Sequence, residues 1–382
     1  MTVSIPRKKV KPIRLKQYRF RITALGFAIL LLLPSMDQWF GFSSKFKSTE
    51  KRILAPFPTF RFPHIMTFIH EFDQYYKENF GWRNALFHTY SYWKLVGLGK
   101  SPLPEKVVVG KNGWFYPGNS LNRVADQHQG ICPLPLSSMK AIAEKLAYFQ
   151  RQLAEQNTKL YLLVAPDSYS VYPENLPDFI KSTKQSNFDL FKHYLNQHTS
   201  IPLIDVYTPL IEAKKKRPVY CQTDTHWNDF GSLVASLAMV NRVRNDFPQL
   251  PLASLDDYRI KVLRGMGGDL TTMLALNKEF RDSVTYKIKP VSTLAAYQIE
   301  NTPNSQMGLA SSRFIGQHPQ LPKLLMIGDS FSFSMNQFVP NYFGKTYIVR
   351  NTAFDLDLVK AEQPDIVVLE IVERNINLLV NY

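Results

Sequence analysis

Short apolar runs rich in β-branched residues alternate with helix-like stretches along most of this chain, and this alternation restricts its fold more than any other feature. The runs read "KLYLLVAP", "IPLIDV", "LPKLLMIGDS", "KTYIVR" and "DIVVLEIV". Continuous apolar runs of this length are typical of strands that are buried on both faces of a parallel sheet. The stretches between them repeat apolar residues three and four positions apart, which indicates helices. The sequence therefore predicts a doubly wound α/β domain with a mostly parallel sheet.

Two amphipathic stretches predict particular helices. The segment "SSMKAIAEKLAYFQRQLAEQN" is typical of a helix that Ser137 or Ser138 caps. Residues 64–98 place aromatic and aliphatic side chains at helical spacing, so we expect one or two helices there, broken near Gly81.

An apolar run near the N-terminus, residues 22–40, is uncharged until Asp37 and ends on two aromatic residues. About 20 apolar residues in a helix span the bilayer core. A run flanked by basic residues on one side and aromatics on the other suits a helix whose N-terminus stays in the cytoplasm. We predict an uncleaved transmembrane anchor here. A cleaved signal peptide is disfavoured because no small-x-small cleavage site follows the run, and a buried soluble helix would leave the basic flank without a role.

The net charge of +15 is concentrated at the start of the chain. Residues 1–21 contain eight basic side chains and no acid. We interpret this arm as a cytoplasmic topology signal, so no nucleic-acid partner is required. The chain is then a single-pass inner-membrane protein with a linker at 41–63 and an extracytoplasmic catalytic domain at 64–382.

Disulfide bonds are permitted outside the cytoplasm, and the chain has two cysteines, Cys132 and Cys221. They form either one bridge, which would pin the loop near residue 224, or two unpaired thiols. The sequence gives no distance between them, so both alternatives stay open.

Ser330 has the local pattern of a nucleophile. The apolar run before it predicts a strand, Gly328 allows a sharp turn, and the residues after it can begin a helix. Such a turn holds a serine hydroxyl clear of the carboxyl edge of the sheet, where ligands of open α/β sheets collect. A structural helix cap explains this serine equally well when it is taken alone.

The hexapeptide "TDTHWN", residues 223–228, supplies what a serine nucleophile lacks. His226 can accept the Ser330 proton, and Asp224 can orient the imidazole and stabilise its charged form. Asp-x-His can also be a loop hydrogen-bond pair or two metal ligands, but neither HExxH nor CxxC occurs to favour a metal, and we predict none. The combination of this loop with a serine at a strand end is more specific than either part.

Four blocks of the sequence resemble the alginate O-acetyltransferase family of SGNH-hydrolase-like proteins. They are "TDTHWN", "GMGGDL" (residues 265–270), "LLMIGDSFS" and "DIVVLEIVERN", and "KNGWFYPG" and "YPENLP" resemble its N-terminal blocks. The similarity covers roughly residues 65–380. The order Asp224, His226, Ser330 matches these transferases, whereas ordinary SGNH esterases have the serine first. One departure is "PDSYSVYP", which lacks a lysine that the family often has before "YP".

The resemblance implies an SGNH-like fold and an O-acetyltransferase of an extracytoplasmic polysaccharide, without a cofactor. Ser330 would carry the acetyl group as an ester, and a sugar hydroxyl activated by His226 would remove it. A multispanning membrane acyltransferase would pass the acetyl group across the membrane. An esterase with the same triad is the first alternative, and a non-catalytic polysaccharide-binding subunit is the second.

Further residues are secondary candidates for the site. The Ser330 N–H is the first candidate oxyanion donor, and Gly268, in the Gly267–Gly268 turn, is another. Trp227 is either a sugar-stacking platform or a wedge that fixes the loop. Arg350 either meets an acidic sugar or is an ordinary surface residue. We expect Glu373 and Arg374 to form a structural pair.

Overall fold

The structure, a computed structural model, describes residues 13–46, 54–291, 294–302, 310–351 and 353–381. Residues 1–12 of the predicted basic arm and residues 47–53 of the predicted linker lie outside the described residues. The chain forms two compact units, residues 1–98 and 99–382. The unit that carries the predicted triad thus begins at Gly99, later than the boundary at His64 that we drew from the sequence.

The first unit contains helices joined by irregular segments over its described residues. Its helices are α1 (Ile13–Phe40), α2 (Ile65–Asn79) and α3 (Arg83–Tyr92), which a π-helical turn (Trp93–Gly97) extends. The 20 residues Tyr18–Asp37 of α1 have a mean hydropathy of 1.5 and are long and apolar enough to cross a membrane. Because α1 begins at Ile13, the last part of the predicted basic arm is helical, as Arg and Lys readily allow.

The predicted helix break near Gly81 is confirmed. Trp82 adopts a left-handed backbone conformation, with φ of 66°, between α2 and α3. A Cβ atom on Gly81 would lie 2.1 Å from the carbonyl oxygen of Pro34, so this turn packs directly on α1. A side chain at position 81 would separate the two backbones.

The second unit contains both helices and strands. The strands are β1 (Val107–Val109), β2 (Phe115–Pro117), β3 (Lys159–Ala165), β4 (Leu203–Ile204), β5 (Tyr258–Arg264), β6 (Val284–Pro290), β7 (Tyr297–Thr302), β8 (Ser311–Ile315), β9 (Lys323–Gly328), β10 (Lys345–Arg350) and β11 (Ile366–Val372). The helices are α4 (Val124–His128), α5 (Leu136–Ala154), α6 (Ser168–Val171), α7 (Asn187–His198), α8 (Tyr207–Lys214), α9 (Asp229–Arg244), α10 (Asp269–Met273), α11 (Ser330–Ser334) and α12 (Leu356–Glu362). The 3₁₀ segments are Pro173–Asn175, Leu255–Asp257, Met335–Gln337, Val339–Tyr342 and Glu373–Asn381.

The main sheet has seven strands over the described residues, in the order β4-β3-β11-β9-β10-β8-β7. Strands β4, β3, β11, β9 and β10 run parallel, whereas β8 is antiparallel to β10 and β7 is antiparallel to β8. The predicted α/β class with a mostly parallel sheet is confirmed. Two antiparallel pairs, β1 with β2 and β5 with β6, lie outside this sheet.

Both faces of the central strands are buried, as the apolar runs predicted. On β3, Tyr161 and Leu163 belong to one core cluster and Leu160 and Leu162 to the other, because side chains alternate across a strand. The first cluster includes side chains of α9, and the second includes side chains of α5, α7 and α12. Helices on both faces define a doubly wound sheet and leave its carboxyl edge open for a site.

The predicted serine cap of α5 is wrong. The cap residue is Pro135, with φ of −62° and ψ of 146°, and no side chain caps this end. Pro135 presets an extended backbone just before the helix, so the helix starts at Leu136. Both Ser137 and Ser138 therefore lie within its first turn.

Candidate active site

Ser330 stands where β9 turns into α11. The strand ends at Gly328, and Asp329 caps the helix, its Oδ1 accepting the backbone N–H of Phe331 at 2.8 Å. The second carboxylate oxygen of Asp329 accepts the N–H of Val372 at 2.9 Å and so ties the turn to β11. This is the predicted strand-turn-helix arrangement, and it leaves Ser330 half-buried at the carboxyl edge.

A buried glutamate supports this turn from below. Oε2 of Glu370, on β11, accepts the backbone N–H of Asp329 at 3.0 Å and that of Ser332 at 3.2 Å. Glu370 is fully buried, and its Oε1 has no hydrogen-bond partner. Burial, and secondly the charge of Asp329, raises the pKa of Glu370 well above its usual range. A Cβ atom at Gly328 would come within 2.5 Å of Oε2, so the glutamate requires glycine there.

The hexapeptide loop is held at both ends. Tyr220 and Trp227 form an antiparallel bridge, and Asn228 caps α9 by accepting the N–H of Gly231 at 2.9 Å. Trp227 is 3% exposed, and its Nε1–H donates to Ser334 Oγ at 2.5 Å. Its ring packs in a T-shaped arrangement with that of Phe331, and the two ring centroids are 5.0 Å apart. Trp227 is therefore a wedge between the loop and α11, and the sugar-stacking alternative is wrong because its ring faces are covered.

The loop brings His226 onto Ser330. Nε2 of His226 lies 2.8 Å from Ser330 Oγ, and Nδ1 lies 2.7 Å from Oδ1 of Asp224. The hydrogen-bond network assigns the tautomer: Nδ1–H donates to the carboxylate, and Nε2 is free to accept the serine proton. The His226 side chain is 31% exposed, so the site is open to solvent. This arrangement can transfer a proton from serine to histidine.

Asp269 is a further site residue that sequence reasoning missed. Its backbone N–H donates to Asp224 Oδ2 at 2.7 Å. Its side chain accepts the N–H of Thr225 at 2.9 Å and the Thr225 hydroxyl at 2.7 Å. The "GMGGDL" block therefore holds the acid loop in place. The sequence signals were the resemblance of this block to the family and an acid directly after two glycines.

Gly268 is not an oxyanion donor, which corrects the prediction. Its N–H already donates to Thr223 Oγ1 at 2.8 Å. A Cβ atom on Gly268 would lie 2.5 Å from the Cβ of Asp224, so glycine allows the two segments to touch. In contrast, the Ser330 N–H is the first of helix α11 and, among the described residues, donates to no loop or side-chain acceptor, so it can face a ligand.

The pKa values of the two acids of the site, Asp224 and Asp269, are shifted in opposite directions. Burial acts to raise the pKa of Asp224, but the hydrogen bond from His226 and its charge outweigh burial and lower that pKa below the usual value. For Asp269, burial and then the neighbouring charge of Asp224 raise the pKa. Asp224 is therefore the acid kept ionised beside the imidazole, as a residue that stabilises imidazolium must be.

Asp224, His226 and Asp269 offer ligand atoms within 4.8 Å of one another, close enough to hold a metal ion by spacing alone. The protein uses these atoms itself. Both Asp269 oxygens accept hydrogen bonds from Thr225, and the two ring nitrogens of His226 face Asp224 and Ser330. A metal would have to replace this network.

Arg350 lies at the same edge of the sheet as the nucleophile. It ends β10 in register with Gly328 of β9, and its side chain is exposed. Its role in sugar binding stays a prediction.

Glu373 and Arg374 do not pair with each other, which corrects the prediction. Both bind Asp167 instead: the Arg374 guanidinium donates to the Asp167 carboxylate, and the Asp167 N–H donates to Glu373 Oε2 at 2.9 Å. All three residues are buried. The two side chains join the end of β11 to the end of β3.

Cys132 and Cys221 are both free thiols in the structure, so the bridged alternative does not hold. Burial, and secondly the charge of Asp282, raises the pKa of the Cys221 thiol well above the usual value. It is therefore a protonated, unreactive thiol.

Comparison with known proteins identifies the family. A family model described as SGNH hydrolase-like domain, acetyltransferase AlgX, matches residues 107–346, more than half of the chain. The chain belongs to this family. The resemblance inferred from the sequence is thereby confirmed, and the AlgX-type domain falls within the second unit.

Two relatives of this AlgX-type chain carry the name probable alginate O-acetylase AlgJ. That of Pseudomonas syringae pv. tomato is 28% identical over 185 residues, 46% of this chain and 42% of that protein. That of Azotobacter vinelandii is 24% identical over 234 residues, 59% of this chain and 54% of that protein. The chain spans about half the length of the curated relatives it matches.

Solved structures share the fold. Bacillus cereus PatB1 aligns with a TM-score of 0.53 at 12% identity and covers 71% of this chain and 96% of that one. A DHHW family protein from Eubacterium siraeum aligns with a TM-score of 0.52 at 16% identity and covers 72% and 97%. At this identity the likeness concerns the fold alone.

Proposed function

We propose that this protein is a membrane-anchored, extracytoplasmic O-acetyltransferase that acetylates hydroxyl groups of a polysaccharide. The observation that carries the proposal is the continuous hydrogen-bonded line from Ser330 Oγ through His226 to Asp224, with contacts of 2.8 and 2.7 Å. Family membership and the names of the relatives support acetyl as the group transferred and a glycan as its acceptor.

The reaction has two halves. In the first, His226 Nε2 takes the Ser330 proton as Oγ attacks the acetyl carbonyl of the donor, the bond to the donor breaks, and the departing group takes the proton from His226. In the second, a sugar hydroxyl gives its proton to His226 and attacks the acetyl ester, and Ser330 leaves with the proton restored. Asp224 stabilises the imidazolium in both halves, and the Ser330 N–H faces the oxyanion.

The anchor and the donor belong to the same proposal. The Tyr18–Asp37 span keeps the domain at the outer surface of the inner membrane. A multispanning membrane acyltransferase then hands the acetyl group across the bilayer to Ser330, so no soluble cofactor is needed.

The test uses the full-length protein with p-nitrophenyl acetate as the acetyl donor. Intact-mass analysis is expected to find one acetyl group on Ser330. Ser330→Ala abolishes both the label and ester turnover, whereas Ser137→Ala, at an exposed serine of α5, keeps both. Turnover that survives in Ser330→Ala, or a complete absence of label and turnover, overturns the enzymatic proposal in favour of a glycan-binding subunit.

A second measurement separates transfer from hydrolysis. Soluble alginate is added to the acetylated enzyme, and acetylated sugar is compared with free acetate. Predominant acetylated sugar supports the transferase. Release of acetate alone, unchanged by the glycan, assigns the protein to the esterase alternative.

A further inference from the structure

A cavity of about 240 Å³ lies at the carboxyl edge of the sheet, away from the triad. Lining residues come from the segments after three strands: Ser170 lies in α6 after β3, Tyr207 and Thr208 begin α8 after β4, and Glu373 directly follows β11. These strands run parallel with β9, so their carboxyl ends lie at the edge where Ser330 stands. The cavity therefore opens on the same edge as the candidate active site.

The cavity is separate from the reacting atoms. Ser330 follows β9, and β11 lies between β9 and β3 in the sheet. Neighbouring strands are about 4.8 Å apart, so the lining residues that come after β11, β3 and β4 lie roughly 5, 10 and 15 Å along the edge from β9. No triad residue lines it. A polymer bound in the cavity therefore leaves Ser330 free, and the neighbouring units of the same polymer can reach Ser330.

The lining is suited to hydroxyl groups. Glu373 is 4% exposed and accepts the Ser170 hydroxyl at 2.6 Å, so a buried carboxyl fixes the direction of that hydroxyl. The Ser170 oxygen keeps its acceptor capacity for a ligand O–H. Thr183 and Thr208 add two more hydroxyls to the wall. The polar wall is preorganised, because its central group, the Glu373 carboxyl, is buried and has a defined hydrogen-bond partner in Ser170.

An aromatic ring completes the wall. Tyr207 is 40% exposed and begins α8 beside the cavity. Aromatic rings stack on the C–H face of sugars, while directed hydroxyls bind their O–H groups. The cavity volume equals the volume that about eight water molecules occupy in the liquid, which matches a single small ring. It is smaller than the pockets that bind drug-sized ligands.

We propose that this cavity is a subsite that binds one pyranose residue of the acceptor polysaccharide, with Tyr207 as its stacking face and Ser170 and Thr208 as its hydroxyl partners. The inference rests on the proposed function and deepens it, because it specifies a polymeric acceptor. The enzyme then binds the glycan through a sugar residue other than the one that it acetylates. Oligosaccharides long enough to reach both places are then better acceptors than monosaccharides.

Binding is measured by calorimetry on the full-length Ser330→Ala protein, in which acetyl transfer cannot occur. The probes are an alginate tetrasaccharide, which is acidic, and cellotetraose, which is neutral. Tyr207→Ala is expected to weaken binding of at least one probe by roughly three- to tenfold, the range for losing one aromatic contact. Tyr207→Phe keeps the ring and stays within about twofold of the parent.

Tyr148→Ala is the matched control, because this tyrosine is 46% exposed on α5 and does not line the cavity. It is expected to bind both probes like the parent protein. The subsite is overturned if neither probe binds saturably, or if Tyr207→Ala binds as tightly as Tyr148→Ala. Because the assay contains no acetyl transfer, failure of Ser330 labelling would refute the proposed function separately.

Discussion

Asp224 and Asp269 lie side by side, joined by a 2.7 Å hydrogen bond from the Asp269 backbone N–H to the Asp224 carboxylate. Their pKa values shift in opposite directions, downward for Asp224 and upward for Asp269. One acid therefore faces the histidine as an anion, while the other holds Thr225. This division of roles leads to a prediction that separates the two residues.

Asp224→Asn is expected to lower the turnover of an acetyl ester by about 10⁴-fold, because the amide neither stabilises imidazolium nor keeps the correct tautomer. Asp269→Asn retains one acceptor oxygen for Thr225 and loses about one hydrogen bond, which amounts to roughly tenfold or less. Steady-state kinetics of both variants measures the difference. Equal losses would contradict the assignment of Asp224 as the orienting acid.

Gly268→Ala is expected to impair the site through packing. The added Cβ would meet the Asp224 Cβ at 2.5 Å and the Thr223 carbonyl oxygen at 2.6 Å, so the loop that carries Asp224 and the segment of Gly268 cannot keep their present contact. Overpacking of this kind costs about 1–3 kcal/mol of stability. The expected result is a lower unfolding midpoint together with a fall in turnover.

Gly97→Ala is the control for that substitution, because its Cβ would meet no atom closer than 3.5 Å. It should change neither the unfolding midpoint of the second unit nor ester turnover. Full activity in Gly268→Ala would mean that the contact with Asp224 is not needed.

The sequence predicted the fold where the physical signal was local. Strands β3, β9 and β11 are buried on both faces and so appear as continuous apolar runs. Strand β7 is mostly exposed, with the burial pattern of a surface segment, so no apolar period revealed the antiparallel edge. The triad was predicted because each of its parts carries a local motif.

The supporting residues were missed because their roles depend on contacts between distant positions. Glu370 lies within an apolar run, and only the fold reveals that it accepts N–H groups about forty positions earlier in the chain. Trp227 was ambiguous because its partner, Ser334, is 107 positions away. Composition and spacing carry no information on such pairs.

Trp227→Phe tests the wedge role directly. The variant loses the hydrogen bond to Ser334 and part of the ring volume, which is expected to cost about 1–2 kcal/mol of unfolding free energy. The KM for a glycan acceptor should not change, since the ring is 3% exposed. Urea unfolding and acceptor kinetics measure the two quantities. A rise in KM at unchanged stability would restore the stacking role.

Glu370 gives a prediction for pH. Its pKa in the folded protein lies well above the ordinary value of 4.5, so the folded state binds a proton that the unfolded state releases. The stability it contributes is complete below the ordinary pKa and is lost as pH rises toward the raised value. Glu370→Gln keeps an oxygen for the Asp329 and Ser332 N–H groups and cannot ionise. As pH rises over this interval, the free energy of unfolding of the variant should therefore increase relative to that of the wild type by about 1.4 kcal/mol per pH unit.

Chemical unfolding of both proteins between about pH 5 and about pH 8 measures this gain, since titrations common to both cancel in the difference. Glu370→Leu is the companion variant. It leaves the Asp329 and Ser332 N–H groups without an acceptor and should be about 2–4 kcal/mol less stable than Glu370→Gln at every pH, with a loss of ester turnover. Parallel pH profiles for wild type and Glu370→Gln would show that Glu370 is ionised in the fold, and the turn beneath Ser330 would then be held by a charge.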